Sequence, residues 1–168
     1  MDILKSATDW TKAEMLSSSF FILFGLCFVC ASLGFWRMGK TDMAQAYVIP
    51  AVIAGVLLLI LGLGMFFQNR AALAGLAETF AQDAPLFIAS EIERADKILN
   101  QYSIAVFKIF PVVIAVCAVL IAVLEAPVFR ASLIVVIAML TVILLVDTNA
   151  NARLETYRAQ LVSAGSCQ

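Results

Sequence analysis

The chain has 168 residues, of which 63% are hydrophobic and 14% charged, with a net charge of −1 and no histidine. A soluble domain carries about 25% charged residues, so one large water-facing globule is excluded, and a near-neutral chain offers no bulk positive field for nucleic acid. Without histidine the commonest general base and metal ligand is gone, and with it most hydrolase, haem and zinc chemistry; no cofactor is expected.

In chain order, the N-terminal flank MDILKSATDWTKAEM mixes acids and bases instead of being basic. The first apolar run, 18–36, ends at Trp36 and Arg37 without a small-residue cleavage pattern, so it is expected to be a retained span. Three more runs follow at 47–67, 104–124 and 128–146. A bilayer crossing needs roughly 20 mostly apolar residues. The expected fold is an all-α membrane protein, four transmembrane helices in two hairpins, forming a single membrane domain over 1–168.

Small residues let helices approach closely in lipid. Cys27, Ala31 and Gly34 in span one, Ala51, Gly55 and Gly62 in span two, and Ala115, Ala118 and Ala122 in span three are therefore expected to line the bundle interior. Pro50 falls in a first helical turn, where a missing N–H costs little, whereas Pro111 lies about two turns into span three and should kink it.

The charged middle, 68–103, reads as two helices. Leu73, Leu76 and Phe80 mark the first; Asp83 and Pro85 cap a second, along which Ile88, Ile92, Ala95, Leu99 and Tyr102 recur at helical spacing. Glu91, Glu93, Arg94, Asp96 and Lys97 fall on its other face, with Glu93 and Lys97 at i, i+4. No breaker separates it from span three. The tail, 150–163, repeats the theme with Leu154, Tyr157 and Leu161 opposite Arg153, Glu155 and Arg158. These amphipathic helices mix charge signs, which favours packing on one another over lying on lipid.

Four spans place both termini and the charged middle on one side. That side holds Lys5, Lys12, Arg70, Arg94, Lys97, Lys108, Arg153 and Arg158, against Arg37, Lys40 and Arg130 on the other. The basic bias puts the termini and the amphipathic extensions in the cytoplasm.

Two motifs suggest chemistry and are outweighed. Gly34–Thr41 fits the phosphate-loop pattern G-x-x-x-x-G-K-T, but an apolar span precedes it where a strand is needed. Cys27 and Cys30 form a C-x-x-C, the basis for a membrane thiol oxidoreductase reading. Apolar surroundings make thiols inert, and neither outward loop holds a cysteine to exchange with. Cys167, second from the end, is not a prenylation site. Lys108 and Asp147, at one membrane face, are expected to pair, as are Glu125 and Arg130 around Pro127.

The run Glu91-x-x-Arg94-x-x-Lys97-x-Leu99 enters a span. A later span ends in Asp147, followed by Arg153-x-x-x-Tyr157-x-x-x-Leu161. This C-terminal part resembles small bacterial multi-span inner-membrane proteins, some of which are immunity partners of secreted, membrane-targeting toxins. The resemblance implies a non-enzymatic binding protein that neutralises a membrane-inserting toxin. A scaffold or regulatory subunit of a larger membrane complex is the alternative. The partners expected are the lipid bilayer and a protein, with a homo-oligomer possible. Contact from outside would use Trp36, Arg37, Lys40 and Asp42; contact in the cytoplasmic layer would use Glu91, Arg94 and Lys97.

Overall fold

Each apolar run seeds a helix that continues well past it. In the computed structural model, which describes residues 3–165, all elements are helical. They are α1 (Ile3–Met38), α2 (Asp42–Ala46), α3 (Val48–Gln82), α4 (Ala84–Gln101), a π-helical stretch (Tyr102–Ile109), α5 (Phe110–Val123) and α6 (Pro127–Gly165). Four helical stretches are long and apolar enough to cross a membrane, as expected: Ile3–Met38, Asp42–Gln82, Ala84–Val123 and Pro127–Gly165. At 1.5 Å per residue they run to roughly 50–60 Å, against a hydrocarbon core of about 30 Å. The excess lies on the side of the termini.

There the projecting ends form one apolar core of Ala7, Trp10, Leu76, Phe87, Ile88, Ala95, Leu154, Tyr157 and Leu161. The amphipathic helices thus cover each other's stripes, as their mixed charge predicts. The first helix of the charged middle is not separate, because nothing in its sequence stops α3 before Gln82. Asp83 ends it and starts α4, its Oδ1 accepting from Leu86 N–H at 3.0 Å. A second core, within the spans, gathers Phe21, Leu58, Leu140 and Ile143.

Spans one and two meet backbone to backbone. A Cβ on Gly55 would lie 2.8 Å from the Gly25 carbonyl oxygen, and one on Gly62 2.9 Å from the Ile22 nitrogen. The Ala51, Gly55 and Gly62 face of span two is therefore interior, as expected. The faces chosen for spans one and three are not. Cys27 and Ala31 are exposed, Gly34 has open space around it, and the buried side of α1 runs through Phe21, Gly25 and Ser32. Two interactions set that rotation: Gly25 is the residue that fits against Gly55, and Ser32 Oγ donates to the Val48 carbonyl at 2.7 Å. Ala115, Ala118 and Ala122 also face outward. Span three has no close backbone approach to spans one or two, so bulkier Phe110, Val113 and Ile114 fill its inner side with buried Cys117.

Pro111 falls in the first turn of α5, and the stretch before it is π-helical. Phe110 N–H donates to Ala105 O, five residues back. The widened turn accommodates a ring that would clash in a regular α-helix. On the far side, Gln45 Nε2 donates to Gly39 O at 2.6 Å and closes the end of α1. Arg130 Nε donates to the Leu124 carbonyl at 2.6 Å. The expected Glu125–Arg130 pair is thereby replaced: the guanidinium satisfies an orphan carbonyl at the end of α5.

Candidate functional site

Just beyond the spans, α1, α4 and α6 converge on a buried polar network. The α1 contribution comes from a face that repeats every three or four residues, Ala7, Trp10, Thr11, Glu14, Ser17 and Ser18, all buried. Thr11 and Ser18 hydroxyls donate back to the Ala7 and Glu14 carbonyls at 2.8 Å, so their burial leaves no orphan donor. Glu14 has no such local solution. It is 6% exposed, and Arg153 from α6 lies beside it with Nη2 at 3.5 Å from Oε1, while donating to Ser17 Oγ.

The second half of the network centres on Glu91, 9% exposed. Its Oε2 accepts from Arg94 Nη2 at 2.6 Å and from the Tyr157 hydroxyl at 3.0 Å. Tyr157 stacks on Trp10 with ring centroids 5.0 Å apart, and the Arg94 guanidinium lies 4.7 Å from the Trp10 ring centre. α1, α4 and α6 are thereby tied through the Trp10–Tyr157 stack, the Tyr157–Glu91 hydrogen bond, the Arg94–Trp10 contact and the Glu14–Arg153 ion pair. Asp96 and Arg158 add an ion pair at the rim.

Burial raises the Glu14 carboxyl above its ordinary value, against the opposing pull of Arg153. Asp147, the first residue past span four, is pushed up to about 7, by burial first and then by the negative charge of Glu14. Burial also raises the Tyr157 hydroxyl, with Glu91 adding to it, which keeps Tyr157 a donor. The expected Lys108–Asp147 pair gives way to this arrangement. Val106 is the buried residue of the π-helical stretch, which leaves Lys108 exposed.

Beside the network opens a cleft of about 390 Å³. Trp10, Glu14, Gln68, Arg94, Gln101 and Tyr102 are among its lining residues. Trp10 Nε1, Glu14 Oε1 and Arg153 Nε are buried without a hydrogen-bond partner. Among the described residues no three His, Cys, Asp or Glu side chains are grouped to hold a metal ion. What the site offers is charge-assisted hydrogen bonding and shaped space.

The residues chosen from sequence divide. Trp36, Arg37, Lys40 and Asp42 are all exposed around the turn between α1 and α2, with the Arg37 guanidinium 5.8 Å from the Trp36 ring centre. Of the second set, Lys97 is exposed and Arg94 half-buried, whereas Glu91 points inward to Tyr157. Charge defaults outward, so local spacing puts Glu91 on the solvent face; the Tyr157 hydroxyl that turns it inward comes from another helix. Trp10, Glu14 and Ser17 do not stand out in the sequence, although their spacing with Ala7 and Phe21 is helical, because polar residues interrupt the stripe. Cys27 and Cys30 carry free, exposed thiols within span one, Cys117 is buried, and Cys167 lies outside the described residues. The phosphate-loop match stays helical through Met38, and Thr41 caps α2.

Comparison with protein-family models, curated proteins and solved structures returns no match.

Proposed function

We propose that this multi-pass membrane protein acts by binding another membrane protein, without enzymatic activity of its own. The observation that carries the reading is the outward placement of small residues. Ala115, Ala118 and Ala122 of span three are turned away from the bundle, and so are Cys27 and Ala31 of span one. Such faces allow a foreign helix to approach closely in lipid. The exposed Trp36, Arg37, Lys40 and Asp42 form a polar and aromatic contact at the far end of the same bundle. In its sharpest form the partner is a membrane-inserting toxin and the protein is its immunity partner in a bacterial inner membrane. The bias of Lys and Arg toward the terminal side supports cytoplasmic termini.

The test deletes the gene and challenges the cells with a toxin encoded beside it. Sensitivity is expected, rescued by the wild-type chain but not by an Ala115→Leu, Ala118→Leu variant that accumulates normally in the membrane. Unchanged survival of the deletion strain sinks the immunity reading. The helical layer that projects roughly 20 Å past the bilayer favours the second reading, a scaffold in a larger complex. A constitutive, stoichiometric foreign subunit after gentle purification would select it.

A further inference from the structure

The cleft beside Glu14 sits at a particular height. Glu14 lies four residues before span one, Gln68 and Asn69 directly follow span two, Gln101 and Tyr102 lie three and two residues before span three, and Ala150 lies four residues past span four. Four helical residues rise about 6 Å. The headgroup layer on each face of a bilayer is about as thick. These lining residues from all four long helical stretches therefore stand at headgroup level.

The chemistry of the lining narrows the occupant. Glu14 is more than nine-tenths buried and lines the cleft; its Oε1 accepts no hydrogen bond and has the Arg153 guanidinium beside it at 3.5 Å. Arg94 faces the same space from α4. Among the described residues, the charged groups lining the cleft are one carboxylate, Glu14, and one guanidinium, Arg94. A purely anionic headgroup would complement only Arg94; a zwitterion with a donor-bearing cation complements both. The volume of about 390 Å³ falls in the range of small-ligand sites. Met65, Ile98 and Leu154 give the same cleft an apolar side against which acyl carbons can lie.

We propose that this cleft holds the headgroup of a phospholipid with a primary ammonium, an ethanolamine phospholipid, with its ammonium on Glu14 and its phosphate toward Arg94. A choline headgroup carries the same charge but has no N–H to donate to Glu14. The site is separate from the outward faces invoked for protein binding, so either can fail alone.

Native mass spectrometry of the full chain from mixed micelles tests it. Ethanolamine, choline and glycerol phospholipids with identical acyl chains compete in one sample. Retention of the ethanolamine lipid about tenfold over the choline lipid is expected, the scale of one charged hydrogen bond. Glu14→Gln should reduce that ratio to near one. Gln101→Phe, at an exposed position on the rim, should block entry and keeps the test decisive if Glu14→Gln does not fold. Equal retention of the two zwitterions overturns the proposal, as does an unchanged preference in either folded variant. Displacement of the lipid by equimolar soluble phosphoethanolamine would assign the cleft to the free compound and also overturn it.

Discussion

At the scale of single residues, the polar network depends on Tyr157 more than on any surface charge. Its hydroxyl and Arg94 together satisfy a carboxylate that is 9% exposed. Tyr157→Phe keeps the stack on Trp10 but removes one hydrogen bond to a buried charge. It should cost about 1.5–3 kcal/mol, the range for hydrogen bonds to charged groups. Tyr157→Ala removes the ring as well and should cost about 3–5 kcal/mol. Denaturant unfolding in uncharged micelles measures both, and a Trp36→Phe background leaves Trp10 as the only indole reporting on the stack. A Tyr157→Phe variant as stable as wild type would remove the network from any account of the layer. Tyr157 itself is legible in sequence through its spacing with Leu154 and Leu161. Glu91 is not, because its hydroxyl donor lies 66 positions away and no local pattern announces it.

Among elements, the tightest contact is between spans one and two. Gly25 and Gly55 face each other so closely that a methyl group on either meets the other's carbonyl oxygen at 2.8–3.0 Å. Backbone cannot step aside as a flexible side chain can. Gly55→Ala should therefore separate the helices and cost about 1–3 kcal/mol, the usual scale of overpacking. Gly64 is in the same helix with nothing near its Cβ position. Gly64→Ala should be neutral or gain up to about 1 kcal/mol from helix propensity. Opposite effects of the two substitutions on unfolding identify the contact; equal effects would deny it. The sequence also shows how far such stripes can be read. Small residues say that a close approach is possible on a face, and in span two, where Gly55 and Gly62 find backbone opposite them, that face is used. In spans one and three similar stripes face outward, because Gly25 and Ser32 fix the rotation of span one and span three makes no close backbone approach to spans one or two. The four spans, the Asp83 cap and the tail stripe depend on local periodicity and local hydrogen bonds, so they are legible. The Pro111 turn is legible as a disturbance but not as a π-helical stretch, because its form depends on the helix remaining continuous on both sides.

For the whole molecule, the junction between the spans and the terminal-side layer contains carboxyls whose burial makes stability depend on pH. Glu14 and Asp147 are both raised in the folded state, Asp147 to about 7; burial is the main cause for each, and the negative charge of Glu14 adds to the shift of Asp147. A raised carboxyl binds its proton more tightly folded than unfolded, so the folded chain is favoured when it is protonated. The advantage is full below the ordinary carboxylate values near pH 4. It declines as pH rises from there and is gone above about 7, when Asp147 is ionised in both states. The bundle should therefore be less stable at pH 8 than at pH 5, by a few kcal/mol at most given the size of the Asp147 shift. Arg153 moderates the share of Glu14, so Asp147→Asn should flatten most of the slope and raise stability at pH 8. Unfolding midpoints in uncharged detergent between pH 4 and 8 give the sign directly. A wild-type chain that gains stability from pH 5 to 8, or an Asp147→Asn variant with the wild-type slope, would mean that the junction is hydrated enough to ionise freely. The same result would remove the desolvated setting in which Glu14 faces the cleft.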